Sequence, residues 1–553
     1  MKSFISDILG ILNRAEKAKA VTLTAFDVLV CALDIVFLGG LLLLINYYAN
    51  GNTNKHFFFI YLNNDHSLLF ISIFLVLYGV KNWLGYKVAS SENAFFYDVA
   101  SRLSRQNIMQ YLKGDYTSFV NTDSSVQIRR ISQQPIEFSN YILTNIQQII
   151  TQSILIAFTI TAILFYHPLL FLALFVLLVP PVFVVAMFIK SRLGKVRTNI
   201  KVTGEKTLQH LNESLAGFVE SNLYDKDQFF TGRYVQYQQQ LNENIATQQS
   251  LQVLPARLIE IFAILGLFLL VLISKVALNA QVDWLNIGVF MAAAYKIIPG
   301  IVKILNSAGQ VKTYQFVIDD IKHTKVAARN LATTGQISSI EFKNVGFTYN
   351  RHKLINDFSL ELLPGDLAGI SADSGRGKTT IVNLLLGFLE STSGDIHINY
   401  QAADSRQRKA YFNKISYVKQ QSFFINDSIL KNVILTDGDH DADRLNRAIN
   451  FSGIGLLADS YPEGIQKVIT ENGKNISGGQ RQRVMLARAL YHDFDLLILD
   501  EPFSELDEEA EHSLLSKLRQ FAGSGKIILL ITHNKASLDY CNKIISPDKV
   551  YEA

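Results

Sequence analysis

The sequence predicts two architectures in one chain: an α-helical transmembrane bundle of about six spans, then an α/β nucleotide-binding domain of the P-loop NTPase class. Apolar runs of membrane-span length are confined to residues before about Lys322. Beyond it, short strand-like runs alternate with helix-like ones. Between one such pair stands the loop SADSGRGKTT, Ser371–Thr380. Bulk properties agree: 553 residues exceed one compact core, and 49% hydrophobic with 18% charged residues suits a chain part membrane and part soluble. A net charge of +4 gives no case for a nucleic-acid partner. Cys31 and Cys541, far apart and without ligand spacing, argue against a disulfide framework or zinc site.

In chain order, residues 1–20 come first. Phe4, Ile5, Ile8, Leu9, Ile11 and Leu12 fall on one helical face flanked by charge, which predicts a helix lying in the membrane surface; packing on protein is the alternative. Residues 21–322 form the membrane domain, with spans at Val21–Tyr48, Ser67–Tyr86, Phe138–Tyr166, Leu169–Ile189, Leu254–Val276 and Trp284–Leu305. Long basic stretches separate the second from the third and the fourth from the fifth. The first holds Arg102, Arg105, Lys113, Arg129 and Arg130; the second holds Lys190, Arg192, Lys195, Arg197, Lys201 and Lys206. Positive charge resists translocation, so these stretches and both termini are expected in the cytoplasm. Charges inside spans need a reason. Asp27 and Asp34 share a helical face, Arg257 and Glu260 are spaced to pair, and Lys296 lies near Pro299; each lines a substrate path or forms a structural pair. Pro180 and Pro181 predict a kink in the fourth span.

Residues 323–338 read as a polar linker and 339–553 as the second domain. The loop 371–380 follows the apolar run LAGI and precedes TTIVNLLLGFLE, the strand-loop-helix context of a phosphate cradle. Gly375 and Gly377 let backbone N–H groups turn toward phosphate, with Ala372, Asp373, Ser374 and Arg376 completing the loop. Lys378 reaches outer phosphates, Thr379 offers a hydroxyl to Mg²⁺, and Thr380 follows in the helix. Ala372 stands where G-x-x-x-x-G-K-[ST] has glycine; if that position needs positive φ, its Cβ costs about 1 kcal/mol. YHDFDLLILDEP is an apolar strand ending in Asp500, a Mg²⁺ ligand candidate, and Glu501, a base candidate. In NISGGQRQRVMLARAL, Ser477, Gly478 and Gly479 enter a helix whose N-terminus is a second anion site, and KIILLITHN ends at His533.

These residues in this order resemble the ATP-binding-cassette (ABC) exporter half-transporters, over essentially the whole chain. The resemblance implies a type I exporter (type IV) membrane fold fused to a cassette, with ATP and Mg²⁺ as cofactors. It makes Ala372–Thr379 the Walker A loop, Leu496–Asp500 the Walker B strand, Glu501 the general base and His533 the switch histidine. Tyr349 matches the adenine-stacking aromatic, and Gln420 in ISYVKQ the glutamine that senses Mg²⁺ and attacking water. ISGGQ, ending at Gln480, matches the signature motif, and SELD, ending at Asp507, the D-loop. In this family the signature of one cassette closes on ATP held by another. A second copy of the chain or a related half-transporter is therefore implied. GDYTSFVNTDSS and ESLAGFVESNLYD match the coupling regions. Lys419 replaces the usual proline, Ile476 the usual leucine and Asn534 a common arginine, and the chain's tail after His533 is short for the family. None of these removes a group that does chemistry.

The implied function is ATP-driven export or flipping of an amphipathic substrate by an integral protein of the bilayer, placed in a bacterial inner membrane with the cassette cytoplasmic. The alternative is a nucleotide-gated module with vestigial hydrolysis, which intact Glu501 and His533 oppose. A substrate-capturing importer fits less, since importers usually keep the two domains on separate chains. Asp34, PARLIE and AAYKIIP are similar to lipid-linked oligosaccharide flippases; a lipid or peptide exporter is the rival. No peptidase-like segment precedes the first span, so leader trimming is not expected.

Overall fold

A computed structural model of the chain describes residues 2–50, 67–114, 116, 120, 122–166, 183–184, 187, 196, 199–276, 284–322, 335–349, 352–371 and 377–545. The chain divides into two compact units, Met1–Gly114 with Phe119–Ala327, and Asp115–Ser118 with Ala328–Ala553. The fourth expected span, with Pro180 and Pro181, falls almost wholly outside the described residues.

The first unit is helical: α1 (Lys2–Ile11), α2 (Arg14–Asn50), α3 (Ser67–Lys113), α4 (Thr144–Tyr166), α5 (Asp227–Val276), α6 (Trp284–Thr313) and α7 (Gln315–Lys322). Four of the six expected spans lie within α2, α3, α5 and α6, and the expected span Phe138–Tyr166 begins in a π-helical turn, Phe138–Leu143, before α4 takes up its remainder. Among the described residues, 14–41 and 124–165 are long and apolar enough to cross a membrane. Several helices run well past a bilayer's thickness; α5 has 50 residues, and its first half, DQFFTGRYVQYQQQLNENIATQQ, is polar. The chain turns from α1 to α2 through a reciprocal cap. The Asn13 N–H donates to Glu16 Oε2 (2.9 Å), and the Glu16 N–H donates to Asn13 Oδ1 (2.8 Å). Arg102 of α3 clamps this turn, donating to the Ile11 carbonyl (3.1 Å) and Glu16 Oε2 (3.0 Å).

The apolar face of α1 packs in part on neighbouring helices. Ile8 and Leu12 are buried with Phe95, Val99 and Leu103 of α3 and Val317 and Ile321 of α7, and Phe4 and Ile11 pack against the same cluster. This part of the apolar stripe is covered by protein, because α7 presents a matching apolar face across it, while Leu9 of the same stripe stays exposed. Between Ser124 and α4 the helix is irregular, with π-helical turns at Arg129–Gln133 and Phe138–Leu143 either side of Pro135. There Arg129 is buried and pairs with Glu137 (3.1 Å) and Glu205 (3.0 Å).

The charges singled out within spans, Asp27, Asp34, Arg257, Glu260 and Lys296, have partners. Asp34 of α2 accepts from Lys81 of α3 and from Lys296 of α6, the latter at 3.1 Å. Asp27 accepts from Gln147 (2.9 Å) and Thr151 (2.7 Å) of α4. Arg257 and Glu260 pair at 3.6 Å on an exposed face.

The second unit holds two larger sheets. An antiparallel sheet runs β2 (His352–Leu362), β1 (Ile340–Tyr349), β4 (Ser393–Ile398), β5 (Gln401–Ala402). A parallel sheet runs β11 (Lys543–Ile545), β3 (Leu367–Ser371), β10 (Ile527–Thr532), β9 (Leu496–Asp500), β6 (Ile415–Val418). The strands β3, β9 and β10 are continuous apolar runs buried along their length, as a parallel sheet covered on both faces requires. A small pair, β7 (Asp427–Ser428) with β8 (Val468–Ile469), completes the strands. Gly394 has φ +68°, and a Cβ there would meet the carbonyls of Lys343 and Asn344, so β4 can approach β1 only with glycine at its start.

Removing the carboxylate shared by two ammonium groups leaves both unpaired in an apolar setting. Asp34→Asn is expected to destabilise the first unit by about 3 kcal/mol, read as a lower melting midpoint in detergent micelles. A midpoint equal to the parent's would show that the triad is not structural.

Candidate nucleotide site

Four strand ends bring the expected residues together. β3 delivers the chain to Gly377, whose φ of +79° turns it into helix α8 (Lys378–Leu385). Lys378 is thus the first helical residue, nine-tenths buried, with its ammonium at the sheet's carboxyl edge. Ala372–Arg376 lie outside the described residues. The helix is shorter than the run TTIVNLLLGFLE suggests, because Gly387 adopts φ +66° and closes a turn onto the Leu384 carbonyl at 3.0 Å.

The strand β9 supplies Asp500 and then Glu501. Asp500 is 5% exposed, and its Oδ2 accepts from the Tyr417 hydroxyl at 3.2 Å. Burial pushes its carboxyl above the usual range, against that hydrogen bond. Glu501 breaks the strand with φ +49°, uncommon for a residue with a Cβ, and its N–H donates to the Ile531 carbonyl of β10 at 2.9 Å. This turn directs the carboxylate back over the strand ends. Lys378 Nζ donates to Oε1 (2.9 Å), Gln420 Nε2 to Oε2 (2.9 Å), and His533 Nδ1 lies 3.6 Å from Oε1. The hydrogen bond from Lys378 holds the Glu501 carboxyl below the usual range, and the His533 charge adds to it. Lys378, Gln420, Glu501 and His533 therefore form one connected group beside Asp500. Thr379 and Thr380 follow in the first turn of α8, with Thr379 exposed. Tyr349 ends β1 half exposed.

The signature segment forms a second patch. Ser477 caps helix α9 (Gly478–Tyr491): its hydroxyl accepts from the Gln480 N–H (3.3 Å), and its own N–H donates to Gln480 Oε1 (2.8 Å). Gly478 and Gly479 let the loop after β9 approach closely. At Gly478 a Cβ would strike the Glu505 carboxylate; at Gly479 it would come within 3.0 Å of Leu506 and 3.1 Å of the Glu505 carbonyl. The loop Ser504–Asp507 is bound to α9 by Gln482 to Ser504 (2.9 Å) and by Arg481 to Glu505 (2.9 Å). Asp507, expected beside nucleotide, caps helix α10 (Glu508–Ala522) by accepting from the Ala510 N–H at 2.7 Å.

Sequence reasoning missed three contributors. Tyr417 and Glu505 sit inside recognised motifs at positions with no expected role. Arg488 of α9 holds the loop after Gln420, donating to the carbonyls of Phe423 (2.8 Å) and Asn432 (2.7 Å). Only Tyr417 carried a signal: its distance from the strand end, discussed below.

The coordinating chemistry fits a hard cation. A serine- or threonine-type hydroxyl, a carboxylate and a carboxamide oxygen (Thr379, Asp500, Gln420) are all-oxygen donors, too few for a closed cage and suited to Mg²⁺ shared with phosphates.

Residues 355–504 match the ABC transporter family model. A probable ABC transporter ATP-binding/permease protein of Haemophilus influenzae is 32% identical over 209 residues, 38% of each chain. An ATP-dependent lipid A-core flippase of Burkholderia pseudomallei is 31% identical over 233 residues, 41% of this chain and 38% of that protein. The aligned region thus spans about two fifths of these relatives' length. The solved structure of a bacterial Atm1-family ABC exporter with ATP bound superposes with TM-score 0.79 at 17% identity, covering 96% of this chain and 93% of that one. The chain has the fold of that ABC exporter, and within its second unit residues 355–504 are an ABC transporter family segment.

Proposed function

We propose that this chain is an ATP-driven exporter working as a dimer, either of two copies or with a related half-transporter. The observation that carries this reading is the convergence of Lys378, Gln420 and His533 on Glu501, next to buried Asp500. A vestigial cassette has no need to keep a base under that much local control. Without nucleotide, Lys378 and Glu501 neutralise one another. The phosphates of ATP offer Lys378 a richer anion, and its transfer to them frees the Glu501 carboxylate to accept a proton from water. Gln420 holds the other Glu501 oxygen and so sets the plane in which that water is engaged, while His533 stands where it can steady the γ-phosphate. Thr379, Gln420 and Asp500 would hold Mg²⁺, which supplies neutralisation of phosphate charge. Tyr349 offers an exposed ring for adenine.

The patch of Ser477–Gln480 and Asp507 is assigned to the other side of the interface, where α9 directs its N-terminus at the phosphates bound by the partner. Closure and reopening of the pair would drive the membrane helices between inward and outward states. The cargo is amphipathic: a lipid-linked glycan, a lipid or a peptide. The relative named as a lipid A-core flippase favours a lipid. The assigned location is a bacterial inner membrane, with the cassette and both termini cytoplasmic.

Glu501→Gln is expected to lower Mg-ATPase turnover at least 100-fold while ATP binding persists. Lys378→Ala is expected to weaken ATP binding itself, by about tenfold or more. Turnover in both variants equal to the parent's would discard the reading. ATPase stimulation by lipids, glycolipids and peptides in proteoliposomes then identifies the cargo class.

A further inference from the structure

We propose that Tyr417 is a positioning residue that holds the Asp500 carboxylate in its metal-binding orientation; this rests on the assignment of Asp500 above. The strands β6 and β9 are parallel neighbours, with Tyr417 level with Ile498 and Val418 level with Leu499. Side chains two apart on a strand share a face, so Tyr417, Ile498 and Asp500 lie on the same side of the sheet. Asp500 is about 7 Å further along, two residues at ~3.3 Å each, which a tyrosine spans and a leucine does not. The hydroxyl arrives at Asp500 Oδ2 at 3.2 Å, while the side chain packs against the sheet's core cluster. A carboxylate only 5% exposed has little water to hydrogen-bond, so the partner it finds in the protein sets the plane of the group. Tyr417 tethers Oδ2 and leaves Oδ1 to face the metal.

The test uses full-length protein in nanodiscs, carrying Glu501→Gln so that bound ATP persists. Mn²⁺ binding is followed by electron paramagnetic resonance with ATP present. Tyr417→Phe, which keeps the ring, is expected to weaken Mn²⁺ about tenfold, with ATP binding in chelator and the metal-free melting midpoint unchanged. Unchanged Mn²⁺ affinity overturns the proposal, and so does equal weakening of metal-free ATP binding, the mark of a merely structural role. Asp500→Asn separates the levels: if it too leaves Mn²⁺ affinity unchanged, the assignment of Asp500 fails first.

A different observation carries a second inference. The geometry points to Glu505 as an internal competitor for the phosphate-receiving face of α9. Its carboxylate lies against the Cα of Gly478, at the first turn of a 14-residue helix, and is held by Arg481 at 2.9 Å. Its own N–H donates to Gln482 Oε1 at 3.1 Å, which fixes the backbone that presents it. A carboxylate is the natural occupant of such a helix end, and there it repels an incoming triphosphate until it swings away with Arg481. This rests on the two-cassette reading. Cassette closure is followed by electron–electron distances between spin labels in full-length Glu501→Gln protein. Both Glu505→Gln and Glu505→Ala are expected to lower the ATP concentration for half-closure about two- to fivefold. An unchanged or higher requirement overturns the inference. If ATP closes neither parent nor variants, the two-cassette reading falls along with it.

Discussion

The site depends on how β9 ends. A parallel strand buried on both faces cannot present a polar side chain until its last residue, and here two carboxylates arrive in succession. Alternation alone would send them to opposite faces of the sheet. The left-handed backbone at Glu501 breaks that alternation, so both acids serve one edge. Among the described residues Asp500 stays buried beside the Tyr417 phenol, while Glu501 reaches the ammonium, amide and imidazole delivered by β3, β6 and β10. Two chemically similar groups thereby acquire opposite electrostatic environments, one raised by burial and one lowered by an ammonium.

The first unit solves a related problem with different means. Its helices carry acids and ammonium groups at depths where hydrocarbon is expected, and they satisfy them by lateral pairing between helices distant in sequence. Asp34 joins α2 to α3 and α6; Asp27 joins α2 to α4. Such pairs fix helix register as well as neutralising charge, because an ion shared by three helices tolerates little sliding. The buried guanidinium of Arg129, between Glu137 and Glu205, does the same where the helix passes through π-helical turns.

Much of this was legible in the sequence, since motifs and apolar periodicity are local properties. The strands β3, β9 and β10 follow from runs such as LAGI, LLILD and IILLIT, and long helices stand where the described apolar runs fall. What escaped depends on partners far away in the chain. That Lys81 would share Asp34 with Lys296, or that Lys378 would sit on Glu501 123 residues later, no local pattern encodes. The packing of Ile8 and Leu12 of α1 on α3 and α7 escaped for the same reason, since the partners lie far along the chain. Asp507 shows the converse, a residue matched by motif whose immediate contact is a helix cap.

The backbone of Glu501 has one more implication. A side-chain-bearing residue in a left-handed conformation raises the free energy of the native state by about 1 kcal/mol or more, and glycine would relieve it. The position at the heart of the cassette is thus one where the residue best for folding and the residue best for turnover are different amino acids. With Glu501 as the proposed base, selection for thermal robustness alone would work against turnover at this position, and a heat-stable descendant with glycine after Asp500 would bind nucleotide without spending it.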